Sequence, residues 1–222
     1  MDIAILGGTG DFGEGIALRW TVDTDHDVVI GSRDAERGRD AADRYEQRLR
    51  DHGYDGTIDG GGNPEAARRA DVVVPSVPAY HLTDTIEGVA DELDAGDIVV
   101  SPAVVMKRDE DGMHYNRPGA GSVTALAAGA APDGVPVVGA FHCLAAGRLA
   151  DLDHDLTADT LVVGDDEEAV ETVVGLAEGI EGIRAHRAGP VANAAEVESL
   201  TPLLINLATH NDDLHDAVVR FD

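Results

Sequence analysis

Short apolar runs alternate with longer amphipathic stretches through the first two thirds of the chain. In the longer stretches apolar residues recur every three or four positions, the period of a helix, whereas the short runs are continuously apolar, as in strands covered on both faces. The predicted strands are Asp2–Leu6, Asp27–Ile30, Asp71–Val74, Ile98–Val100 and Val135–Phe141. The predicted helices are Phe12–Trp20, Asp34–Arg50, a short helix opening at Asn63–Pro64, His81–Leu93 and Ser122–Ala131. This alternation predicts an open parallel sheet.

The remaining segments are less regular. Gly56–Gly62 stays unassigned, and Met106–Gly121 is predicted to be a long loop because it is polar and rich in turn residues. After Ala145 the pattern predicts a strand at Thr160–Val163, a helix at Glu167–Glu178, a strand at Gly182–His186, a helix at Ala194–His210 and a short strand at Ala217–Phe221. We therefore expect an α/β protein with a doubly wound parallel sheet over residues 1–145 and a small C-terminal α/β domain over residues 146–222.

A glycine fingerprint follows the first predicted strand. Gly8-Thr9-Gly10-Asp11-Phe12-Gly13 matches G-x-G-x-x-G, and it lies between a strand and a helix, as in Rossmann-type dinucleotide-binding domains. There, Gly8 is expected to allow the tight turn, Gly10 to let the backbone approach a pyrophosphate, and Gly13 to allow close helix packing. Asp11 is expected to cap the helix with its side chain turned away from the anion. The alternative is that these glycines serve only a tight turn.

The end of the second predicted strand indicates which dinucleotide binds. NAD-binding domains usually place an acidic residue there for the ribose 2′-OH, whereas this chain has Ser32 and Arg33, with Arg37 one turn further on. These side chains can donate hydrogen bonds to a 2′-phosphate, so the sequence favours NADP(H) over NAD(H). The alternatives are that Ser32 caps a helix and that Arg33 is a solvated surface residue. The loop Ser76-Val77-Pro78 is expected either to pass the nicotinamide ribose or to be a plain turn.

Charge narrows the choice of partners. The chain has 16 basic and 43 acidic residues, for a formal net charge of −27, and Lys107 is its only lysine. Such a charge repels nucleic acids and anionic membranes. Acidic residues spread along the whole chain are typical of proteins adapted to molar salt, so we expect the cytoplasm of a halophilic archaeon. The start of the sequence has no basic flank and no long apolar region, so we expect no secretory signal. No apolar stretch is long enough to span a bilayer, and the single cysteine, Cys143, excludes an intrachain disulfide.

Four segments of the chain resemble the F420-dependent NADP oxidoreductases. They are GGTGDFGEGIALR at Gly7–Arg19, VVIGSRDAERG at Val28–Gly38, GAFHCLAA at Gly139–Ala146 and NAAEVESLTPLLINL at Asn193–Leu207. The resemblance implies hydride transfer between NADP(H) and the deazaflavin coenzyme F420, with these small-molecule redox cofactors as partners, and a homodimer. It also implies that His142, Ser199 and Thr201 lie at the deazaflavin, where the titratable ring of His142 suits a catalytic role.

The chain departs from the family pattern at three positions. Ala195 stands where members often have an arginine, Phe12 where a polar residue is frequent, and Cys143 where asparagine is common. The missing arginine predicts weaker F420 binding than is usual in the family.

Simpler roles remain open for the acceptor-site residues. His142 is equally expected to bond to backbone at a strand end, and Thr201, followed by Pro202, is a suitable helix N-cap. No histidine has a ligand spacing that indicates a metal site. The rival functions are a dehydrogenase of small hydroxy acids, an NADPH-dependent reductase of flavins or ferric chelates, and a non-enzymatic NADP(H)-sensing module.

Overall fold

The computed structural model describes all residues, Met1–Asp222. Its first half consists of β1 (Asp2–Leu6), α1 (Asp11–Asp23), β2 (Asp27–Ser32), α2 (Ala35–Asp51), β3 (Ile58–Gly62), α3 (Asn63–Ala67), β4 (Val72–Pro75), α4 (Ala79–Glu87) and β5 (Ile98–Ser101). The second half consists of β6 (Met106–Asp109), β7 (Gly112–Tyr115), α5 (Val123–Ala130), β8 (Val137–Gly139), α6 (Ala146–Ala150), β9 (Ala158–Gly164), α7 (Glu167–Glu178), β10 (Ile183–Arg187), α8 (Ala194–Glu198) and α9 (Leu200–His210). None of these helices is both long and apolar enough to cross a bilayer.

Eight strands form one sheet in the order β10-β9-β8-β5-β4-β1-β2-β3. Six neighbouring strands of this sheet are parallel, in the order β3, β2, β1, β4, β5 and β8, and β1 pairs with both β2 and β4. This order, with the chain reversing direction across the sheet at β1, is that of the doubly wound nucleotide-binding fold, so the predicted fold class is confirmed. Such sheets bind ligands at the carboxyl ends of their strands, on either side of the reversal.

Both faces of the sheet are covered, which explains the unbroken apolar character of its central strands. One core cluster joins the sheet to α1, α2 and α7 through large side chains such as Trp20, Tyr45 and Leu176. The other joins the opposite face to α3, α4 and α5 through smaller ones such as Ala66, Ile86 and Ala127. Burial on both faces selects continuous apolar runs in strands.

The segment after Ala145 extends the same sheet. Strand β9 pairs antiparallel with β8, and β10 pairs parallel with β9. The indole nitrogen of Trp20 in α1 donates to the carbonyl of Leu176 in α7 at 3.0 Å, which ties the two parts of the chain together. The boundary between two domains near Ala145 stays a prediction.

The predicted loop at Met106–Gly121 is wrong in its first part, where β6 and β7 form an antiparallel hairpin. Lys107, Arg108 and Asp109 lie exposed on β6, so this strand lacks the apolar signal of the buried ones. Gly112 has a φ of 124°, a conformation that favours glycine, directly after the turn at Glu110–Asp111. An Asp-Gly pair is a known hairpin signal, and the polarity of the segment masked it.

Two C-terminal predictions also need correction. The single helix predicted at Ala194–His210 is divided at Ser199 into α8 and α9, because Pro202 has no N–H with which to continue the helical ladder. The strand predicted at Ala217–Phe221 is absent: this segment runs beside β9 with only two backbone N–H bonds to it, from Asp159 to the Val219 carbonyl and from Phe221 to the Asp159 carboxylate. The latter uses a side chain, so no strand ladder forms.

Smaller differences concern element ends. Strand β8 is shorter than predicted, because Phe141 has a φ of 68° and turns the chain away from the sheet. Helix α4 ends at Glu87 rather than Leu93, and a single 3-10 turn follows at Ala90–Glu92. The unassigned Gly56–Gly62 contains β3.

Candidate functional site

A cleft of about 610 Å³ opens at the carboxyl ends of β1 to β4. Eight of the predicted cofactor-binding residues line it: Thr9, Gly10, Ser32, Arg33, Arg37, Ser76, Val77 and Pro78. They come from three separate sequence segments, which the parallel sheet brings to one edge. Gly8, Asp11, Phe12 and Gly13 do not line the cleft: Asp11 is exposed outside it, and Phe12 packs against the core.

The glycine loop forms a cradle that the protein itself leaves open. Gly7 has a left-handed φ of 68°, and a Cβ on Gly8 would lie 2.8 Å from the Ile5 carbonyl oxygen, so the turn requires glycine at both positions. A Cβ on Gly13 would lie 2.6 Å from the Cα of Gly8, so these two glycines allow α1 to start tight against the loop. A Cβ on Gly10 would have no neighbour within 4 Å. The space beside Gly10 is therefore available to a ligand.

The start of α1 has free backbone donors. Gly10 is the N-cap residue and supplies no side-chain hydrogen bond, and Asp11 is the first helical residue, so the prediction that Asp11 caps the helix is wrong. Because glycine has no side chain, the first N–H groups of α1 keep their hydrogen-bonding capacity for an anion. The cradle thus fits a pyrophosphate.

Tyr45 supports the loop from behind and was not identified from the sequence as a site residue. Its hydroxyl donates to the carbonyl of Gly8 at 2.8 Å, and burial raises the pKa of this phenol to about 12. The hydroxyl therefore stays a donor at physiological pH. The only signal in the sequence was the position of Tyr45 on the apolar face of α2, which indicates core packing rather than loop support.

Two arginines face the cleft without acidic partners. Arg33 and Arg37 are exposed and take part in none of the ten ion pairs of the structure, although 43 acidic residues are present. Ser32 does not cap α2, since Asp34 does so through a hydrogen bond from the Glu36 N–H at 3.0 Å. The oxygen of Ser32 accepts from the Asp34 N–H at 3.3 Å. Its hydroxyl proton is therefore available to an anion beside Arg33.

The buried side-chain nitrogen and oxygen atoms that have no hydrogen-bond partner all belong to residues at or just after the carboxyl ends of the parallel strands. They are the amide oxygen of Asn63, the hydroxyl of Ser101 and both ring nitrogens of His142. Asn63 directly follows β3, Ser101 ends β5, and His142 lies three residues after β8. Unpartnered buried polar groups are costly and rare, and their concentration at the carboxyl ends of parallel strands indicates a functional surface.

The turn after β8 places His142. Phe141 is left-handed, a strained conformation for a bulky residue; its N–H donates to the Thr160 hydroxyl at 3.0 Å, and its ring packs edge-on against Trp20. The imidazole that follows is 5% exposed. Burial lowers the pKa of His142 to about 4, so the ring is neutral at physiological pH. The alternative of a ring hydrogen-bonded to backbone is wrong, because neither nitrogen has a partner.

A second pocket, of about 470 Å³, lies beside His142 and contains more apolar side chains. It is lined by the turn after β8 together with the start of α6 (His142–Gly147), by one face of α9 and by the C-terminal residues Asp216 and Ala217. The hydroxyl of Thr201 donates to the His142 carbonyl at 2.8 Å, so Thr201 joins α9 to this turn and does not cap its helix. Ser199 lies outside both pockets, and its hydroxyl donates to the Glu196 carbonyl at 2.7 Å. Its expected contact with a ligand stays a prediction.

Cys143 is a buried, protonated thiol. Burial raises its pKa to about 11, so it is no nucleophile at physiological pH. No group of three or more histidine, cysteine, aspartate or glutamate side chains is arranged to hold a metal ion.

Glu198 is the main structural residue of this region that sequence reasoning missed. Its side chain is 0% exposed, and its carboxylate accepts hydrogen bonds from the Tyr115 hydroxyl at 2.6 Å and from the N–H groups of Val123 and Thr124, both at 2.9 Å. The Thr124 hydroxyl adds a fourth bond at 3.0 Å. Glu198 thereby joins β7 and the start of α5 to the junction of α8 and α9. Its only sequence signal was an acidic residue within an otherwise apolar segment.

Comparison with known proteins places these features in a family. A family model described as NADP oxidoreductase, coenzyme F420-dependent, matches residues 2–105. The F420-dependent NADP reductase of Methanocaldococcus jannaschii is 38% identical over 209 residues, which make up 93% of this chain and 92% of that protein. The protein of the same name from Methanothermobacter thermautotrophicus is 37% identical over 215 residues, or 95% of this chain and 90% of its own length.

The likeness extends to the three-dimensional structure. A crystal structure of a provisionally assigned F420-dependent NADP reductase from Arthrobacter sp. FB24 superposes with a TM-score of 0.80 at 21% identity, covering 100% of this chain and 99% of that one. This match concerns the fold, whereas the identity to the two archaeal proteins spans nearly the whole sequence. The chain therefore belongs to the family of F420-dependent NADP oxidoreductases.

Proposed function

We propose that the protein is an oxidoreductase that transfers a hydride between NADP(H) and the deazaflavin coenzyme F420. The observation that carries this proposal is the 37–38% identity, over more than nine tenths of the chain, to two archaeal proteins named F420-dependent NADP reductases. The geometry agrees with it: a polar cleft with an open glycine cradle lies at one part of the sheet edge, and a more apolar pocket lies beside the last parallel strand.

The first cleft is suited to NADP(H). The free N–H groups at the start of α1 would hold the pyrophosphate, and Ser32, Arg33 and Arg37 would hold the 2′-phosphate. Arg33 and Arg37 are the only arginines that line the cleft, and neither takes part in an ion pair, so both guanidinium groups are available to a phosphate. Ser76, Val77 and Pro78 would border the nicotinamide ribose.

The second pocket is suited to the deazaflavin. Hydride transfer between two cofactors requires mainly that the reacting carbons are held face to face without intervening water, and such orientation supplies up to about 7–11 kcal/mol in model reactions. His142 and Thr201 lie on the wall of this pocket, and we assign the catalytic role to His142, whose neutral ring can stabilise the deazaflavin as its charge changes. Ser199 is assigned to the same site on the family resemblance alone.

Ala195 is expected to weaken F420 binding. It is 5% exposed within α8, lines neither pocket and has no hydrogen-bond donor in its side chain, whereas family members often have an arginine at this position. We expect a KM for F420 above the family's usual range, while NADPH binding is unaffected. This difference is the main reason to test other acceptors as well.

The test is a spectrum of the purified protein with NADPH and oxidised F420 in molar KCl. The visible absorbance of F420 should bleach, and deuterium placed on the transferred face of NADPH should appear in the deazaflavin without loss to solvent. Free flavin and ferric chelate serve as competing acceptors. Reduction of either of these without reduction of F420 would replace the proposal by a flavin or ferric-chelate reductase, and tight NADPH binding with no acceptor reduced would favour a sensing module.

The assembly and the cellular setting are part of the same proposal. We infer a homodimer formed through α9, of which only Pro202 is buried, whereas Leu203 is 52% and Leu207 40% exposed. Sedimentation as a monomer at molar salt would contradict it. The acidic surface supports the cytoplasm of a halophilic archaeon and argues against nucleic-acid partners.

A further inference from the structure

The side chain of Asn63 is buried at the edge of the first cleft without a protein partner. Asn63 is 8% exposed and lines the cleft, and its amide oxygen accepts no hydrogen bond. The amide NH₂ group also has no protein partner and, unlike the oxygen, is not fully buried, so its two donors are open to a group bound in the cleft. The missing side chain of Gly31 makes room for the amide oxygen of Asn63, because a Cβ on Gly31 would lie 2.9 Å from that oxygen.

Capping does not explain this asparagine. Asn63 is the first residue of α3, and the N-cap position belongs to Gly62, which has no side-chain capping bond. The residue type most favoured at helix starts for capping is therefore present but one position too late to cap. Its side chain remains unexplained by the local structure.

The register of the sheet places Asn63 beside the phosphate-reading residues. Gly62, the last residue of β3, pairs with Ser32, the last residue of β2. Asn63 and Arg33 are the residues that follow each of these, on neighbouring parallel strands about 4.8 Å apart. Both line the cleft, together with Arg37. A group bound at the end of β2 is therefore within reach of the end of β3.

We propose that Asn63 is a specificity-determining residue that donates a hydrogen bond from its amide to the 2′-phosphate of NADP(H). The inference rests on the proposed function, because it assigns this part of the cleft to a 2′-phosphate. A phosphate accepts hydrogen bonds only, and the amide NH₂ carries two donors. Asn63 thus adds a neutral donor to the two cationic side chains of Arg33 and Arg37. The 2′-hydroxyl of NAD(H) accepts fewer hydrogen bonds than a 2′-phosphate, so these donors favour NADP(H).

The substitution Asn63→Asp gives the sharpest test, because it replaces the donor with a charged acceptor of the same shape. A carboxylate repels the 2′-phosphate and can accept from the 2′-OH of NADH, as the acidic residue at the end of the second strand does in NAD-binding domains. Dissociation constants for NADPH and NADH are measured by nicotinamide fluorescence at one fixed KCl concentration. Asn116→Asp is the matched control, since Asn116 is exposed and lies outside the cleft.

In Asn63→Asp the affinity for NADPH should fall by about tenfold to a hundredfold, while the affinity for NADH is kept or rises. Asn63→Ala should weaken NADPH binding by a smaller factor, again with little effect on NADH binding. This variant replaces Asn63→Asp in the test if the aspartate variant does not fold. Asn116→Asp should change neither constant. Equal losses of NADPH and NADH in both Asn63 variants, or no loss in either, would overturn the inference and leave the residue a structural one.

Arg33→Ala separates this inference from the proposed function. If the wild type prefers NADPH and Arg33→Ala loses that preference, the 2′-phosphate site is established whatever Asn63 does. Unchanged preference in the Asn63 variants would then overturn the role of Asn63 alone. A wild type that binds NADH as tightly as NADPH would overturn the NADP(H) assignment and this inference together.

Discussion

His142 is held neutral by its surroundings, and its two unpartnered nitrogens identify it as a residue kept for a reason other than stability. Replacing a buried, unsatisfied polar ring with an apolar one of similar shape is often neutral or stabilising, so selection for folding alone would favour phenylalanine here. The strained backbone of Phe141, the preceding residue, also indicates a functional role for this turn. Strain of this kind persists where the surrounding structure enforces it, commonly at functional sites.

We expect His142 to make folding stability depend on pH. Its pKa is about 4 in the folded protein and 6.5 in the unfolded chain, so between these values the unfolded chain binds more protons. The stabilising contribution is complete above pH 6.5 and is lost as the pH falls towards 4; a shift of this size corresponds to about 3 kcal/mol. Denaturant titrations at fixed molar KCl measure it.

In His142→Phe the free energy of unfolding should lose this part of its pH dependence between pH 4 and 6.5. His215→Phe, which removes an exposed histidine, should retain it. The same slope in the wild type and in His142→Phe would contradict the buried neutral histidine. His142→Phe should also reduce F420 slowly while binding NADPH normally, because His142 lines only the second pocket.

At the scale of single residues, sequence motifs located the cofactor cleft but not its supports. The G-x-G-x-x-G pattern and Ser32-Arg33 carry local signals, because turn geometry and phosphate chemistry restrict residue type at fixed spacing. Tyr45 and Asn63 carry none, since each acts through a partner more than 30 positions away or through a ligand. Only the assembled sheet brings them to the site.

Between elements, the junction of α8 and α9 depends on one buried carboxylate. Glu198 accepts four hydrogen bonds, two of them from N–H groups at the start of α5, where the helix dipole also favours negative charge. Each carboxylate oxygen accepts two of these bonds, so no oxygen is spare. The Tyr115 hydroxyl that completes the set has its pKa raised by burial and by the neighbouring carboxylate.

Glu198→Gln should destabilise the protein by about 1–3 kcal/mol. The amide keeps the shape but turns an NH₂ group towards two donors, so two bonds are lost and the charge at the start of α5 disappears. Glu196→Gln, an exposed change in the same helix, is the control and should have little effect. Unfolding in denaturant at fixed salt measures both, and equal stability of the two variants would show that the four bonds contribute little.

Elements whose buried face is lined by apolar side chains were predicted well, whereas the exposed hairpin and the glycine-rich β3 were not. Strands β1 and β4 and helix α7 were located within one or two residues, because their burial imposes a period on the sequence. The hairpin β6–β7 was missed, since neither strand has a buried face. Its position is fixed instead by α9, where the amide of Asn206 both accepts from and donates to the backbone of Met113, at 2.8 Å and 2.7 Å. Such a contact between distant segments leaves no pattern in the sequence.

Across the whole molecule, acidic residues greatly outnumber their possible partners. Six arginines form ion pairs with carboxylates, against 43 acidic residues in total. Most carboxylates therefore lie on the surface among other negative charges, and their mutual repulsion opposes the compact state. At about 1 M salt the Debye length falls to roughly 3 Å, which screens most of this repulsion.

We therefore expect the protein to lose its structure below about 0.5 M KCl, because the Debye length grows towards about 10 Å at 0.1 M salt and the repulsion between surface carboxylates is no longer screened. Circular dichroism against KCl concentration follows the loss. Asp40→Asn with Asp43→Asn removes two exposed charges from α2 and should move the midpoint to lower KCl. A thermal midpoint that stays constant between about 0.1 and 2 M KCl would mean that surface repulsion does not limit stability. The acidic composition would then need a cause other than adaptation to salt.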